Sequence, residues 1–401
     1  MANPVSLARK RPIVSLLLRI VPHYRVPFLE RLAARLDRSG IDLQVVYGQE
    51  RPGTVPHSVR IDAPWAHRVP NVYADIGRIE LVWQPGLRRC MQSDLIVVEQ
   101  ATRLLANYVL QLGRGRLGRR RLNRRVAYWG HGKNMQSRKP NGLSERLKQS
   151  IVSGVDWWFA YTDLSRQFVA SNGFPDERIT VVNNAVSGAE LRDGLNRLAD
   201  RTDAQLLAEI GCAGKHVGLF CGSLHRDKRL PFLFAAAEKV RASVSDFELV
   251  IIGDGPESPY VREMAARHDW IKYHGAVTGA LRAKYFRAAD LLLMPGLVGL
   301  VIVDSFITGC PIVTTDYPFH SPEIAYLESG SNGVMTADDE DNFAAAVIDL
   351  IRDRPRLASL RAACIQSASR YTLAEMVERF ASGVESCLAL NSMDESVGAH
   401  A

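Results

Sequence analysis

Short apolar runs alternate with longer amphipathic stretches through the first part of the chain. The run "RPIVSLLLRI" predicts a buried strand, "VPFLERLAARLDRSG" predicts an amphipathic helix that ends at Gly40, and "IDLQVVYG" predicts a second strand. Further strands are predicted in "SDLIVVEQ", "RRVAYWGHG", "VDWWFAYT" and "RITVVNN", with a helix in "DLSRQFVASNG". Because the order begins as strand, helix, strand, we expect the strands to be parallel.

The alternation restarts after residues 187–214, a polar stretch for which we predict a helical connector. Strands are predicted in "HVGLFCGS", "FELVIIGDG", "IKYHGAV", "DLLLMPG" and "PIVTTD", with helices between them. Two successive units of this kind predict an α/β protein with two Rossmann-like, doubly wound domains. The carboxyl ends of both sheets are expected to face a central cleft and a ligand within it.

The domain boundaries follow from these patterns. We assign residues 1–187 to the first domain and 188–373 to the second. Residues 374–390 are predicted to form a C-terminal helix that crosses back to the first domain, and 391–401 a disordered tail.

Composition and charge narrow the class of protein. The 401 residues are 47% hydrophobic with a net charge of +7, which is typical of a soluble globular protein and favours anionic partners. The uncharged run between Asp290 and Asp304 is shorter than the roughly 20 residues that a membrane helix needs. The six cysteines show no metal-ligand spacing, which favours reduced thiols in a cytosol.

A glycine-containing loop follows the predicted strand "DLLLMP". Glycine lets backbone N–H groups approach a ligand closely, and the start of the next helix favours a phosphate. The candidate ligand-binding residues of this loop are Gly296, Leu297, Val298, Gly299 and Leu300. Asp304 is the only charge in the surrounding run. The alternative is a tight loop in which the glycines are required only by the backbone conformation and bind no ligand.

A cationic loop follows another predicted strand, in "FCGSLHRDKRL". This strand ends at Gly222, and the loop after it carries Arg226, Lys228 and Arg229. Cations at the carboxyl end of a strand suit a phosphate leaving group, because negative charge grows on it as the bond breaks. The alternative is a solvated basic turn.

These motifs resemble, in order and spacing, the carboxyl-terminal domain of family-4-type retaining glycosyltransferases of the GT-B fold. The similar segments are "CGSLHRDKR", "VIIGDGPE", "AADLLLMPGLVGLVIVDSFITGCPIVTT" and "HSPEIAYLESGSNGVM". "WGHGKN" and "ERITVVNNAVS" resemble a loop of the first domain and the hinge, so the resemblance covers about residues 12–390.

The resemblance implies transfer of a sugar from a nucleoside-diphosphate sugar to a glycan or lipid-linked acceptor, with retention of anomeric configuration. It implies polysaccharide or glycoconjugate biosynthesis, an acceptor-binding first domain and a donor-binding second domain. We expect no metal or other cofactor besides the nucleotide-sugar co-substrate. Two alternatives stay open: a degenerate GT-B binding or scaffold protein, and a GT-B sugar-nucleotide epimerase.

The resemblance also assigns roles at the phosphate site. Lys228 stands where the family has its phosphate-binding lysine, so it is implied to be catalytic and donor-binding, beside Gly222. Ser223 stands where the family has an arginine, which leaves Arg226 or Arg229 to supply the missing cation.

The sugar and ribose positions depart further from the family. Gly296 occupies the first glutamate position of the donor motif, and Asp304 the second, which would bind the ribose. The glycine indicates either a different donor sugar or lost activity. His131 matches the family's donor-orienting histidine, and Glu323 matches a position near the donor pocket.

Candidate acceptor residues lie in the first domain. "VPHYRVP" at residues 21–27 places His23, Tyr24 and Arg25 after the first strand, and Glu99 ends "DLIVVEQ". The two prolines of the former segment alternatively mark a simple turn.

Two strongly charged runs, one basic and one acidic, lie outside these motifs. Residues 114–125, "RGRLGRRRLNRR", lack the aromatic residues and fold signature of nucleic-acid binding, so no nucleic acid is predicted. They suit an anionic membrane or a lipid diphosphate, which predicts a cytoplasmic protein peripheral to the inner face of the membrane; a solvated basic loop is the alternative. "DDED" at residues 338–341 precedes an apolar helical pattern and is predicted to cap that helix rather than bind a metal.

Overall fold

The computed structural model describes most of the chain. The described residues are 11–54, 58–77, 79–112, 124–132 and 154–390. The predicted tail at 391–401 and most of the arginine run lie outside them. The chain divides into two compact units: the first holds the described residues up to Asn183 together with those from Ala374 onward, and the second holds Asn184–Leu373.

The first unit is built on a parallel sheet. Its strands are β1 (Ile13–Leu18), β2 (Asp42–Tyr47), β3 (Ala66–Arg68), β4 (Val72–Ile76), β5 (Ile79–Trp83), β6 (Leu95–Glu99), β7 (Arg125–Gly130), β8 (Trp157–Ala160) and β9 (Ile179–Val181). Seven of them form the sheet in the order β3-β2-β1-β6-β7-β8-β9, with every pairing parallel. The remaining two, β4 and β5, form a separate antiparallel hairpin.

Helices cover the sheet of the first unit. They are Val26–Arg38, Leu87–Cys90, Leu105–Leu112, Asp163–Ser171 and Leu373–Ala389. The last of these buries an apolar stripe, and its Phe380 ring stacks on Phe159 of β8 with centroids 4.1 Å apart. The guanidinium of Arg125, the last residue of the arginine run, donates hydrogen bonds to the Leu388 and Leu390 carbonyls at the end of this helix.

The second unit is also a parallel α/β layer structure. Its strands are β10 (His216–Cys221), β11 (Phe247–Ile252), β12 (Ile271–Tyr273), β13 (Leu291–Met294), β14 (Ile312–Thr315) and β15 (Gly333–Thr336). They pair in the order β12-β11-β10-β13-β14-β15. The chain leaves β10 toward one edge and β13 toward the other, so the sheet has a topological switch point between these two strands.

The helices of the second unit follow the predicted alternation closely. They are Ala189–Arg197, Asp203–Glu209, Leu230–Ser243, Ser258–Arg267, Ala283–Ala288, Val301–Thr308, Glu340–Arg352 and Arg354–Ser367. Helix Val301–Thr308 ends at Gly309, whose φ of 63° is the left-handed conformation of a helix C-cap. The Asp339 side chain accepts a 2.8 Å hydrogen bond from the Asn342 N–H, which confirms the helix-capping interpretation of the acidic run.

None of the helices within the described ranges is long and apolar enough to cross a membrane.

Candidate functional site

Two loops of the second unit meet at its switch point. The loop after β10 forms a single 3-10 turn, Arg226–Lys228, and the loop after β13 holds the two glycines. The Leu297 N–H donates a 2.8 Å hydrogen bond to the Asp227 carbonyl, and the Lys228 ammonium donates a 2.5 Å hydrogen bond to the Leu297 carbonyl. The cationic turn and the glycine loop, predicted separately from the sequence, are therefore joined directly.

The Lys228 side chain runs inward to reach this position. The residue is only 6% exposed, and a Cβ placed on Gly222 would lie 3.7 Å from the lysine Cε. Burial lowers the pKa of Lys228 to about 8. Within the described part of the chain, the Leu297 carbonyl is its one hydrogen-bond acceptor, which leaves two ammonium protons for an incoming anion.

The backbone N–H groups of the glycine loop divide into two pairs. Those of Leu297 and Val298 have internal acceptors, the Asp227 carbonyl and His320 Nδ1, so these two N–H groups are engaged within the unit, and a ligand contact at these residues stays a prediction. Those of Gly299 and Leu300 have no acceptor among the described residues, and helix Val301–Thr308 begins directly after them. They are the N–H groups at the positive end of this helix, where an anion is favoured.

A buried histidine that the sequence did not single out positions this loop. His320 Nδ1 accepts a 3.0 Å hydrogen bond from the Val298 N–H, and its Nε2–H donates a 2.8 Å hydrogen bond to the Thr315 carbonyl. This pattern requires a neutral imidazole, and burial lowers its pKa accordingly. His320 opens the segment "HSPE" shortly after β14 ends at Thr315, and the sequence prediction for this segment concerned only Glu323.

Close packing against the Arg226–Lys228 turn requires glycine at position 296. A Cβ at this position would lie 2.3 Å from the Asp227 carbonyl oxygen and 2.7 Å from the Lys228 carbonyl carbon. The cationic turn therefore occupies the space of any side chain at residue 296. Neither a change of donor nor a loss of activity is needed to account for the missing glutamate.

Asp304 lies inside helix Val301–Thr308 and is buried. Its Oδ2 accepts a 2.5 Å hydrogen bond from the Arg282 guanidinium, while its Oδ1 is buried with no hydrogen-bond partner among the described residues. Burial raises the pKa of this carboxyl, and Arg282 opposes that shift. One oxygen is thus held in an ion pair that the sequence did not predict, and the other has unused acceptor capacity.

The remaining candidate residues near the Arg226–Lys228 turn differ in exposure. Ser223 and Arg226 are exposed. Arg229 instead forms an ion pair with Asp338, donates a 3.3 Å hydrogen bond to the Pro295 carbonyl, and stacks on Phe232. Arg226 and Arg229 are the two candidates to replace the arginine that the resembled family has at position 223. Of these two, only Arg226 is exposed to solvent.

Glu323 is buried in the second unit. Its carboxylate accepts a 2.5 Å hydrogen bond from the Asn184 side-chain amide, and the Tyr326 hydroxyl donates to the Asn184 carbonyl. The hydrogen bonds from Glu323 and Tyr326 thus fix Asn184, the first residue of the second unit.

Candidate residues of the first unit gather at the carboxyl ends of β1, β6 and β7. The Glu99 carboxylate accepts a 2.5 Å hydrogen bond from the Arg19 N–H, just after β1, and burial raises its pKa. This hydrogen bond joins the ends of β1 and β6. It gives Glu99 a structural role in addition to the predicted acceptor-side role.

The 3-10 turn His23–Arg25 places its three side chains differently. His23 and Tyr24 are exposed, whereas Arg25 is buried with its guanidinium carbon 4.8 Å from the Trp129 ring centroid. This stacking is a cation–π contact. Arg25 is therefore engaged within the first unit, whereas His23 and Tyr24 are accessible, and the acceptor-side role of all three stays a prediction.

His131 follows β7 and has a strongly perturbed pKa. Its ring centroid lies 4.5 Å from that of Tyr161, and its Nδ1 is buried with no hydrogen-bond partner in the described part of the chain. Burial, followed by the charge of Arg25, lowers the pKa of His131 to about 4. The imidazole is thus neutral at physiological pH, with one ring nitrogen unused.

Solved structures of the same architecture confirm the fold. HepE from Anabaena, in complex with UDP, superposes with a TM-score of 0.66 at 17% identity over 94% of this chain and 100% of that one. A glycosyltransferase from Rickettsia africae gives a TM-score of 0.68 at 12% identity over 96% and 100% of the two chains. With its two parallel sheets, the protein has the GT-B fold.

A family model matches most of the second unit. Residues 215–353 match the family Glycosyl transferases group 1, so the resemblance seen in the sequence is confirmed for this domain. A phosphatidyl-myo-inositol mannosyltransferase of Mycolicibacterium smegmatis is 28% identical over 187 residues, 45% of this chain and 47% of that protein. A D-inositol 3-phosphate glycosyltransferase of Thermobispora bispora is 25% identical over 260 residues, 59% and 58% of the two. The chain spans about half the length of these curated relatives.

Proposed function

We propose that the protein is a glycosyltransferase that transfers a sugar from a nucleoside-diphosphate sugar to a glycan or lipid-linked acceptor with retention of configuration. Its role is in polysaccharide or glycoconjugate biosynthesis at the inner face of the membrane. The donor is a nucleoside-diphosphate hexose or deoxyhexose, and no metal or other cofactor takes part.

The observation that carries this proposal is the position of the Lys228 ammonium. It is buried between the cationic turn and the glycine loop, 2.5 Å from the Leu297 carbonyl. The N–H groups of Gly299 and Leu300, which have no acceptor among the described residues, open the following helix. A buried ammonium and a helix N-terminus together suit a diphosphate, and HepE is a protein of the same fold with UDP bound.

The proposed chemistry needs charge stabilisation more than proton transfer. Lys228 and the helix N-terminus would stabilise the leaving diphosphate, and Asp304 Oδ1 would accept a hydrogen bond from a ribose hydroxyl. The departing phosphate oxygen would take the acceptor proton, so no side-chain base is required. His131, neutral at physiological pH, would orient the donor sugar as a hydrogen-bonding group rather than as an acid.

A donor screen tests the function directly. Thermal stabilisation is measured with UDP, GDP, ADP, CDP and dTDP, and sugar nucleotides of the stabilising base are then assayed for hydrolysis and for transfer. We expect one base to raise the melting temperature and its sugar nucleotide to be consumed slowly by water, faster with an acceptor. Nucleotide binding with no sugar release from any donor would identify a degenerate binding protein. Interconversion of donors without acceptor would identify an epimerase.

The pKa of Lys228 predicts how binding depends on pH. Since that pKa is about 8 in the free protein, the amine loses its charge as the pH rises through this value, and affinity for the diphosphate should fall. Conversely, a bound diphosphate stabilises the ammonium, so binding at about pH 8.5 should take up a proton. Calorimetric titrations in two buffers of different ionisation enthalpy measure this uptake, with Lys228→Met as the control that abolishes it. Equal heats in both buffers would contradict the assignment.

A further inference from the structure

An ion pair of the second unit engages the carboxylate of Asp304 through one of its two oxygens. The Asp304 side chain is only 8% exposed, and its Oδ2 accepts a 2.5 Å hydrogen bond from the Arg282 guanidinium. Its Oδ1 is buried and has no hydrogen-bond partner among the described residues. A buried carboxylate oxygen without a donor costs free energy, so it marks a place where a ligand can supply the missing hydrogen bond.

The ion pair joins two separate elements of the unit. Arg282 ends the 3-10 turn Gly279–Arg282, which follows β12, and Asp304 lies in helix Val301–Thr308, which follows β13. The turn packs closely against Ala189–Arg197, the first helix of the unit. Because each partner stands on its own packed element, the ion pair fixes the rotamer of the carboxylate.

The ion pair lies near the Lys228 ammonium, at the carboxyl end of β10. Cys221 is the last residue of this strand, and burial raises the pKa of its thiol to about 12. The charge of Asp304 raises this pKa further, whereas the charges of Arg282 and Lys228 lower it. All three charged groups therefore lie close to one buried thiol. The ion pair thus belongs to the same edge of the sheet as the proposed diphosphate site.

The engaged carboxylate differs from one whose two oxygens are both open. An open carboxylate can accept one hydrogen bond on each oxygen from the two neighbouring hydroxyls of a ribose. With Oδ2 engaged by Arg282, Asp304 has only Oδ1 for this purpose. Aspartate is also one methylene shorter than the glutamate of the resembled family, so it reaches less far toward a ligand. One ribose hydroxyl, rather than both, therefore matches the acceptor that this ion pair presents.

We propose that Arg282 is a positioning residue for the nucleotide ribose: it holds Asp304 through Oδ2, so that Oδ1 accepts a hydrogen bond from one ribose hydroxyl and the other hydroxyl makes no contact with the carboxylate. The site then discriminates strongly against loss of the first hydroxyl and weakly against loss of the second. Without Arg282, the buried carboxylate has lost its counter-charge and takes up a proton, which weakens it as an acceptor. This inference rests on the proposed function, because it concerns the nucleotide of the same donor.

Affinities for nucleotides that lack one ribose hydroxyl test the proposal on the full chain. UDP, GDP, ADP, CDP and dTDP are titrated calorimetrically, and the ribo, 2′-deoxy and 3′-deoxy diphosphates of the base that binds most tightly are then compared. We expect the wild type to lose affinity about tenfold or more for one deoxy form and less than about threefold for the other. The ratio between the two deoxy forms should fall close to one in Arg282→Met. It should also fall in Asp304→Asn, whose amide turns its oxygen to Arg282 and places an NH₂ group where Oδ1 stood.

The matched control is Arg354→Met, which removes an arginine that pairs at 2.7 Å with another buried aspartate, Asp290, just before β13 begins. A purely structural role lowers the affinity for all three forms alike, so this control should keep the wild-type ratio. Arg282→Lys keeps the charge without the guanidinium fork and should give an intermediate ratio, which tests the proposal even if Arg282→Met does not fold.

The ratio between the two deoxy forms also separates this inference from the proposed function. The inference is overturned if the wild type binds both deoxy forms alike, or if the Arg282 variants bind nucleotide with the wild-type ratio. If the wild type binds none of the five nucleoside diphosphates, the proposed function itself is wrong, and this inference fails with it.

Discussion

Replacing Lys228 with methionine is expected to weaken nucleoside-diphosphate binding about 100-fold and to reduce donor turnover by a further factor of at least about 10. Among the described residues, the Lys228 ammonium is the one buried cation where the cationic turn meets the glycine loop. Charge on the leaving phosphate grows toward the transition state, so loss of the ammonium should destabilise the transition state more than the ground-state complex and lower turnover of the bound donor in addition to affinity. Isothermal titration with the nucleotide and initial-rate assays with the sugar nucleotide measure the two effects.

The thermal stability of Lys228→Met distinguishes a loss of nucleotide binding from misfolding. Burial depresses the pKa of Lys228, which means that the folded protein disfavours the charged amine relative to the unfolded chain. The ammonium contributes one hydrogen bond, to the Leu297 carbonyl, against that cost. Methionine fills a similar volume without the desolvation penalty, so the variant should melt within a few degrees of the wild type.

The matched control is Arg226→Met, which removes a cation from the same turn. Arg226 is exposed, so its charge is screened by solvent, and we expect at most about a tenfold loss of affinity. If instead Lys228→Met binds nucleotide normally and Arg226→Met does not, the diphosphate lies outside the buried position and the assigned site is wrong.

The sequence predicted the parallel layers well, because buried parallel strands are continuous apolar runs. Strands β1, β2, β6 to β9 and β10 to β14 all fall inside predicted segments. The elements that were missed, β3, the β4–β5 hairpin and β15, are three to five residues long. Three apolar residues of the hairpin, Val72, Ile76 and Ile79, are exposed, so its apolar positions do not follow the pattern of a buried strand.

The candidate site was predictable in its loops but not in its internal contacts. Loops that follow adjacent parallel strands must share one edge of the sheet, which is why Lys228 and the glycine loop could be expected to meet. The partners that decide the role of each side chain are distant in sequence. Asp304 pairs with Arg282, Arg229 pairs with Asp338, and the Val298 N–H donates to His320. Such pairings follow from the three-dimensional packing, and no local pattern encodes them.

Gly296→Ala is expected to destabilise the second unit by about 2–4 kcal/mol, whereas Gly299→Ala is expected to have little effect. A methyl group at residue 296 would lie 2.3 Å from the Asp227 carbonyl oxygen, which is backbone and cannot rotate away. At residue 299 the nearest atom would be Ser321 Oγ at 3.5 Å, an ordinary contact. The two variants make the same chemical change three positions apart in one loop, so each controls for the other.

The same geometry predicts the outcome of introducing the glutamate that the donor motif of the resembled family would place at this position. Gly296→Glu should not bring back a sugar contact; it should displace the Arg226–Lys228 turn, break the Leu297–Asp227 hydrogen bond and lower the melting temperature by about 5 °C or more. Nucleotide affinity should fall with it, because Lys228 belongs to the displaced turn. Thermal unfolding and nucleotide titration of the three glycine variants measure both effects. A Gly296→Glu protein that is as stable as the wild type and faster in turnover would show that the glycine records a lost catalytic residue, and that the close approach of the two loops is not required.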